Sequence, residues 1–150
     1  MNEIIAEYFA QIYPLIAAIT SMILSQIIKI IYSLYKNKNL CLRQAFVSGG
    51  MPSSHSAMVI SLTTAIGLKE GFSSALFFIC MVFSSVVLYD ASGVRRAAGN
   101  QAAVLNQIID DLVAKGKFKP QKLQELLGHT PLEVVAGIIF GIIVAFALKP

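Results

Sequence analysis

The chain has two histidines, and each stands beside residues that can do acid–base or nucleophilic chemistry with it. His129 is followed four residues later by Glu133, an offset that places both on one face of a helix. A carboxylate there takes the proton of one imidazole nitrogen and leaves the other free as nucleophile or base. The same residues also spell a structural motif. Thr130-Pro131-Leu132-Glu133 reads as a capping box, with Pro131 at the first helical position. The two roles are compatible.

His55 lies in Gly49-Gly50-Met51-Pro52-Ser53-Ser54-His55-Ser56. A serine at that position is an ordinary helix N-cap. A Gly-rich loop that opens a helix also offers backbone N–H groups and a favourable dipole to an anion. A histidine beside such a site can protonate a leaving oxygen. Lys29, Arg95 and Arg96 are cations able to neutralise phosphate oxygens, the arginines through a bidentate fork. A snorkelling Lys and headgroup-facing arginines are the plainer alternative. Asp90 is a further acid near these residues. A metal site built from His55, His129, Asp90 and Glu133 is a third reading; zinc accepts these ligand types, but no local ligand triad stands out.

Such residues need elements to carry them, and the composition says which. Of 150 residues, 56% are hydrophobic and 13% charged, and the mean hydropathy is +0.71. A soluble domain has about 25% charged residues. Disorder is excluded and an ordinary soluble enzyme disfavoured; the expected class is an all-α integral membrane bundle. The net charge of +4 fits a membrane surface or an anionic substrate before nucleic acid. Cys41 and Cys80 form no CxxC and argue for no oxidising compartment. The start, Met1-Asn2-Glu3 with Glu7, lacks the basic region of a signal peptide, so the first apolar stretch is expected to be retained.

Four apolar segments follow: Phe9 to Tyr32, Pro52 to Leu68, Phe72 to Tyr89 and Pro131 to Leu148. The last three measure roughly 27 Å each as helices, the low end of the spanning range. Lys69-Glu70-Gly71 predicts a tight polar turn, and Gly137-x-x-x-Gly141 would admit close helix approach. Between the last two segments, Val94, Ala97, Ala98, Leu105, Ile108, Ile109 and Leu112 recur at helical spacing, which predicts an amphipathic helix. Gly116 would end it, and Pro120 would open a short helix with Leu123, Leu126 and Leu127, closed by Gly128. The whole, residues 1–150, is expected to be one membrane-embedded domain of about four spans with an amphipathic insertion before the last.

If all four segments cross, both termini and the Lys69 turn share one side. The other side carries Lys29, Lys36, Lys38, Arg43, Arg95, Arg96, Lys115, Lys117, Lys119 and Lys122, ten of the twelve basic residues. The positive-inside rule puts that side in the cytoplasm. Both histidines, Lys29 and Asp90 belong to it. Ionisable groups at the ends of spanning helices are functional candidates by default.

Pro-Ser-Ser-His, followed later by His-x-x-x-Glu-Val-x-Ala-Gly, resembles the type 2 phosphatidic acid phosphatases, relatives of the vanadium haloperoxidases. Gly49 to Ala57, together with Tyr89-Asp90-Ala91-Ser92-Gly93-Val94-Arg95-Arg96, is more closely similar to the small divergent PAP2 membrane proteins. The likeness covers Lys29 to Gly141. It implies a lipid phosphatase acting without cofactor or metal on a phosphomonoester or diphosphate, such as phosphatidate or phosphatidylglycerophosphate. By the same resemblance His129 is the nucleophile that forms a phosphohistidine, His55 the general acid and Glu133 the orienting acid. Lys29, Ser53, Ser54 and Arg95 or Arg96 bind phosphate, and Asp90 supports them. The expected location is a plasma membrane of bacterial type, with the site loops cytoplasmic by their basic charge; the expected partners are a lipid phosphate, the membrane and, because four short spans bury little, a second copy of the chain. The alternatives are a polyprenyl diphosphate phosphatase, or a silent relative that binds anionic lipid or a protein. The sequence departs from the phosphatase pattern in three ways. Ser54 stands where Gly is usual. Arg43 follows Lys29 by 14 residues with no Pro next, and Arg95 and Arg96 precede His129 by 34 and 33. The stretch between them reads as an insertion.

Overall fold

The computed structural model describes residues 2–37, 50–114 and 128–150. Five α-helices occur among the described residues: α1 Asn2–Asn37, α2 Ser54–Glu70, α3 Ala75–Tyr89, α4 Arg95–Ala114 and α5 Pro131–Ala147, with a π-helical segment, Asp90–Val94, joining α3 to α4. No strand occurs among them. The four apolar segments are all helical, with shifted ends. α1 runs well past Phe9 and Tyr32, because nothing in its polar flanks breaks a helix. Lys69 and Glu70 close α2 rather than forming the turn. The reversal comes at Gly71, whose φ of 93° suits a residue without Cβ. Its N–H donates to the Gly67 carbonyl (3.0 Å). The predicted stop at Gly116 and the short helix after Pro120 lie outside the described residues.

α2 is the central helix and packs against α1, α3 and α5. Its buried face is small and partly polar: Ser54, Ser56, Ala57, Ser61, Thr63 and Ala65 among others. The closest approach is to α5. A Cβ on Gly137 would fall 2.6 Å from the Ser53 carbonyl oxygen, and one on Gly141 2.5 Å from that of Ala57. The predicted Gly-x-x-x-Gly is therefore a packing seam. The α2–α3 contact is polar: the Thr63 and Ser84 hydroxyls are 2.7 Å apart, and Ser84 Oγ donates to the Val59 carbonyl (3.2 Å). α1 is tied to α5 at the opposite end from the histidines by a hydrogen bond from the Tyr13 hydroxyl to the Ala145 carbonyl.

Burial is inverted relative to a soluble protein. Among the described residues the largest side chains with under 2% exposure are serines: Ser21, Ser25, Ser53, Ser56 and Ser61. The large apolar side chains point outward, including Ile19, Ile23 and Ile27 on α1, Ile79, Val82 and Phe83 on α3, and Ile139 and Ile143 on α5. Soluble monomers rarely expose such continuous apolar surface. In lipid, helices associate through small residues and hydroxyl hydrogen bonds instead. The chain is thus built as a helical membrane protein.

Two described stretches are long and apolar enough to cross a bilayer by length and composition, Glu7–Tyr35 and Ala75–Asp110. α2 and α5 have 17 residues each, about 26 Å and slightly short of the hydrocarbon thickness. α2 is the less apolar of the two, and three neighbours shield it from lipid.

The amphipathic helix forms as α4, but it grows directly out of α3 rather than from a loop. Its apolar face is not packed into the bundle. Leu105, Ile108 and Leu112 are exposed, while Ala102 and Asn106 are buried. The periodicity of this stretch therefore marks a face without a partner among the described residues.

Candidate functional site

Four elements deliver polar residues to one end of the bundle, and three hydrogen-bonded connections link them in series. Lys29 lies near the end of α1, where its half-buried side chain crosses to α2 and its Nζ donates to Ser54 Oγ (3.1 Å). The aliphatic stem of Lys29 lies along Gly50, whose φ is 87°. That positive φ turns the chain into the Met51-Pro52 step and the start of α2.

Ser53 is the N-cap of α2. Its Oγ accepts from the Ser56 N–H (3.4 Å) and the Ser56 hydroxyl (2.9 Å). Its own N–H donates to the Glu133 carbonyl (3.0 Å). Both polar groups of Ser53 are thus engaged in fixing α2 against α5, and the residue is fully buried. The Ser53 amide holds α5, and its hydroxyl oxygen caps α2.

At the start of α5 the two readings of Glu133 coexist. Thr130 Oγ1 accepts from the Glu133 N–H (3.3 Å), and Glu133 Oε2 accepts from the Thr130 N–H (3.1 Å), completing the capping box. The same Oε2 lies 3.0 Å from His129 Nδ1. A carboxylate only accepts, so the proton of the neutral ring is assigned to Nδ1 and the lone pair to Nε2. His129 is 3% exposed and His55, by contrast, is exposed.

The third connection uses the π-helical segment. The His129 N–H donates to the Ala91 carbonyl (2.9 Å). A π turn inserts a residue into the helical ladder, and the loop before α5 bonds to this segment. His55, Val87, Asp90, Ala91 and His129 line a narrow cleft of about 20 Å³ there. Sequence reasoning did not reach Ala91 or Val87. A backbone carbonyl and an apolar wall carry no residue-type signal.

Lys29, Ser54, His55, Asp90, His129 and Glu133 are thus gathered at one end of the bundle. Arg95 and Arg96 open α4 immediately after the π-helical segment, so the backbone brings them to the same end. Among the described residues, no three His, Cys, Asp or Glu side chains converge as a metal site would require.

These features define a class: a small helical membrane protein with a histidine-centred polar site where its helix ends meet. The sequence profile of the Divergent PAP2 family matches residues 10–144, and the chain belongs to that family. It is also 37% identical over 147 residues to the uncharacterized membrane protein YuiD of Bacillus subtilis (strain 168), covering 91% of this chain and 93% of the relative. No solved structure matches the chain significantly.

Proposed function

We propose that this protein is a lipid phosphatase that works through a phosphohistidine. The observation that carries the reading is the His129–Glu133 pair, held in the same cleft as His55 and bonded into an assembly that includes Lys29. His129 Nε2 attacks phosphorus, and the bond from phosphorus to the lipid oxygen breaks. His55 gives its proton to the leaving alkoxide. Water then attacks the phosphohistidine, His55 takes a proton from it, and the P–N bond breaks to release phosphate and restore the ring. Glu133 balances the positive charge that the imidazole acquires. Lys29, with an arginine of the Arg95-Arg96 pair, spreads the charge on the phosphoryl oxygens, and such electrostatic stabilisation is usually the largest single term.

The substrate class follows from geometry and charge. The exposed apolar belts end near the site, which supports a site at a membrane boundary and suits a phosphate on a lipid. The cleft is small and His55 on its rim is exposed, so a headgroup phosphate reaches it from that side. The basic residues of the chain cluster on the site side, and the positive-inside rule supports a cytoplasmic site, which favours phosphatidate or phosphatidylglycerophosphate over a polyprenyl diphosphate at the outer surface.

The test is phosphate release by purified protein in detergent from a panel of lipid phosphates, with chelator present. The wild type is expected to release phosphate; His129→Ala abolishes it, His55→Ala lowers it strongly, and vanadate inhibits. No release from any lipid by folded protein would replace this reading with that of a silent relative binding anionic lipid. Activity that chelator removes would point instead to metal chemistry.

A further inference from the structure

Asp90 has no place in the phosphohistidine scheme, yet it lines the cleft together with both histidines. We infer that Asp90 is the positioning residue of His55: its carboxylate, presented by the π-helical segment, orients the His55 ring and keeps it protonated until the leaving oxygen needs a proton. The inference rests on the reading of this site as a phosphatase.

Three observations converge on it. Glu133 is already committed, because one oxygen serves both the Thr130 N–H and His129 Nδ1. A second histidine with the opposite task needs a second acid. Asp90 supplies it from a different element, and its residue lines the same small cleft as His55. The segment that carries Asp90 is fixed by the bond from the His129 N–H to the Ala91 carbonyl. It is also π-helical, a local form frequent at functional sites.

The site thereby divides two proton tasks between two acid–histidine pairs. The Glu133 pair prepares a nucleophile, and the Asp90 pair a proton donor. The charged and titratable groups around His55 are Asp90 on the π-helical segment, His129 and Glu133 at the start of α5, and Lys29 at the end of α1, with Arg95 and Arg96 following Asp90 in the chain.

Because His55 and His129 are the only histidines, NMR of ring-labelled protein in detergent gives two titrating signals, assigned with His55→Gln. Asp90→Asn is expected to lower the His55 midpoint by about one pH unit and to move His129 less. Asp90→Glu is expected to restore most of it. An unmoved His55 signal in a variant whose His129 signal is native, or a larger shift at His129 than at His55, overturns the inference. A change in both signals that Asp90→Glu does not reverse marks a structural role and also overturns it. This readout needs no turnover, so it separates from the function itself: a shifted His55 in a protein that hydrolyses nothing keeps the pair and removes the phosphatase. Where turnover is present, the alkaline limb of kcat/KM moves down with the His55 midpoint.

Discussion

Glu133 shows how one side chain does two jobs with one oxygen. Its Oε2 closes the capping box on the Thr130 N–H and fixes the ring of His129, so truncation and neutralisation separate the jobs. Glu133→Ala removes the box and is expected to cost about 0.5–2 kcal/mol of stability, the range for a lost cap, as well as activity. Glu133→Gln keeps an oxygen for the Thr130 N–H but loses the charge that balances an imidazolium. It is expected to unfold within about 0.5 kcal/mol of wild type while its turnover falls about 10²–10⁴-fold. Thermal unfolding in detergent beside phosphate release from the same preparations checks this. Equal loss of stability in both variants, with equal turnover, would reduce Glu133 to a cap. Ser53 stands at the other extreme. Its amide joins α2 to α5 and its hydroxyl oxygen caps α2, so its structural part is plain in the bonds it makes.

At the scale of elements, the seam between α2 and α5 sets the site. Gly137 faces the carbonyl of Ser53 and Gly141 that of Ala57, both rigid backbone groups. Gly137→Ala and Gly141→Ala must push the helices apart, and each is expected to cost about 1–3 kcal/mol. The Gly137 variant should also lose turnover, because Ser53 adjoins Ser54 and His55. Gly93→Ala is the control: the nearest atoms to its Cβ belong to Tyr89 at 3.9 Å, and stability should change little. Melting temperatures in one detergent decide it, and tolerance at both seam positions would mean that the helices are not in such close contact. This seam was legible in the sequence, because only small residues at a spacing of four allow backbones to meet. So were the capping box and the grouping of both histidines with Lys29 on one face, since helix ends alternate sides of a bilayer. The use of α4 was not legible. A 3.6-residue period reports an apolar face and not what covers it, and here Leu105, Ile108 and Leu112 remain exposed. The continuity of α3 into α4 was equally hidden, because a π turn has no composition of its own.

For the whole molecule, function turns on which way the bundle faces. Two polar ends are distinct in the structure. One holds Lys29, Ser54, Asp90 and His129. The other holds the Gly71 reversal, where Lys69 Nζ donates to the Gln11 carbonyl (3.4 Å), and the C-terminal end of α5, to which Tyr13 is bonded. Lys29, Lys36, Arg95 and Arg96 fall at the first end by their place in α1 and α4, and six more basic residues stand in the sequence between α1 and α2 and between α4 and α5; basic loops are retained in the cytoplasm. The proposed substrates therefore depend on a topology that is measured apart from any chemistry. A reporter active only outside the cytoplasm should function when fused after Pro150, and a fluorescent protein that folds only inside should stay dark there. A cysteine placed at Lys69 in a Cys41→Ser background should react with an impermeant thiol reagent on intact cells, and native Cys41, in the segment between α1 and α2, should react only after the membrane is opened. The reverse pattern would put the histidines outside. In that event the inner-leaflet lipids fall away as substrates, and a polyprenyl diphosphate at the outer surface takes their place with the same His129 attack and the same His55 proton.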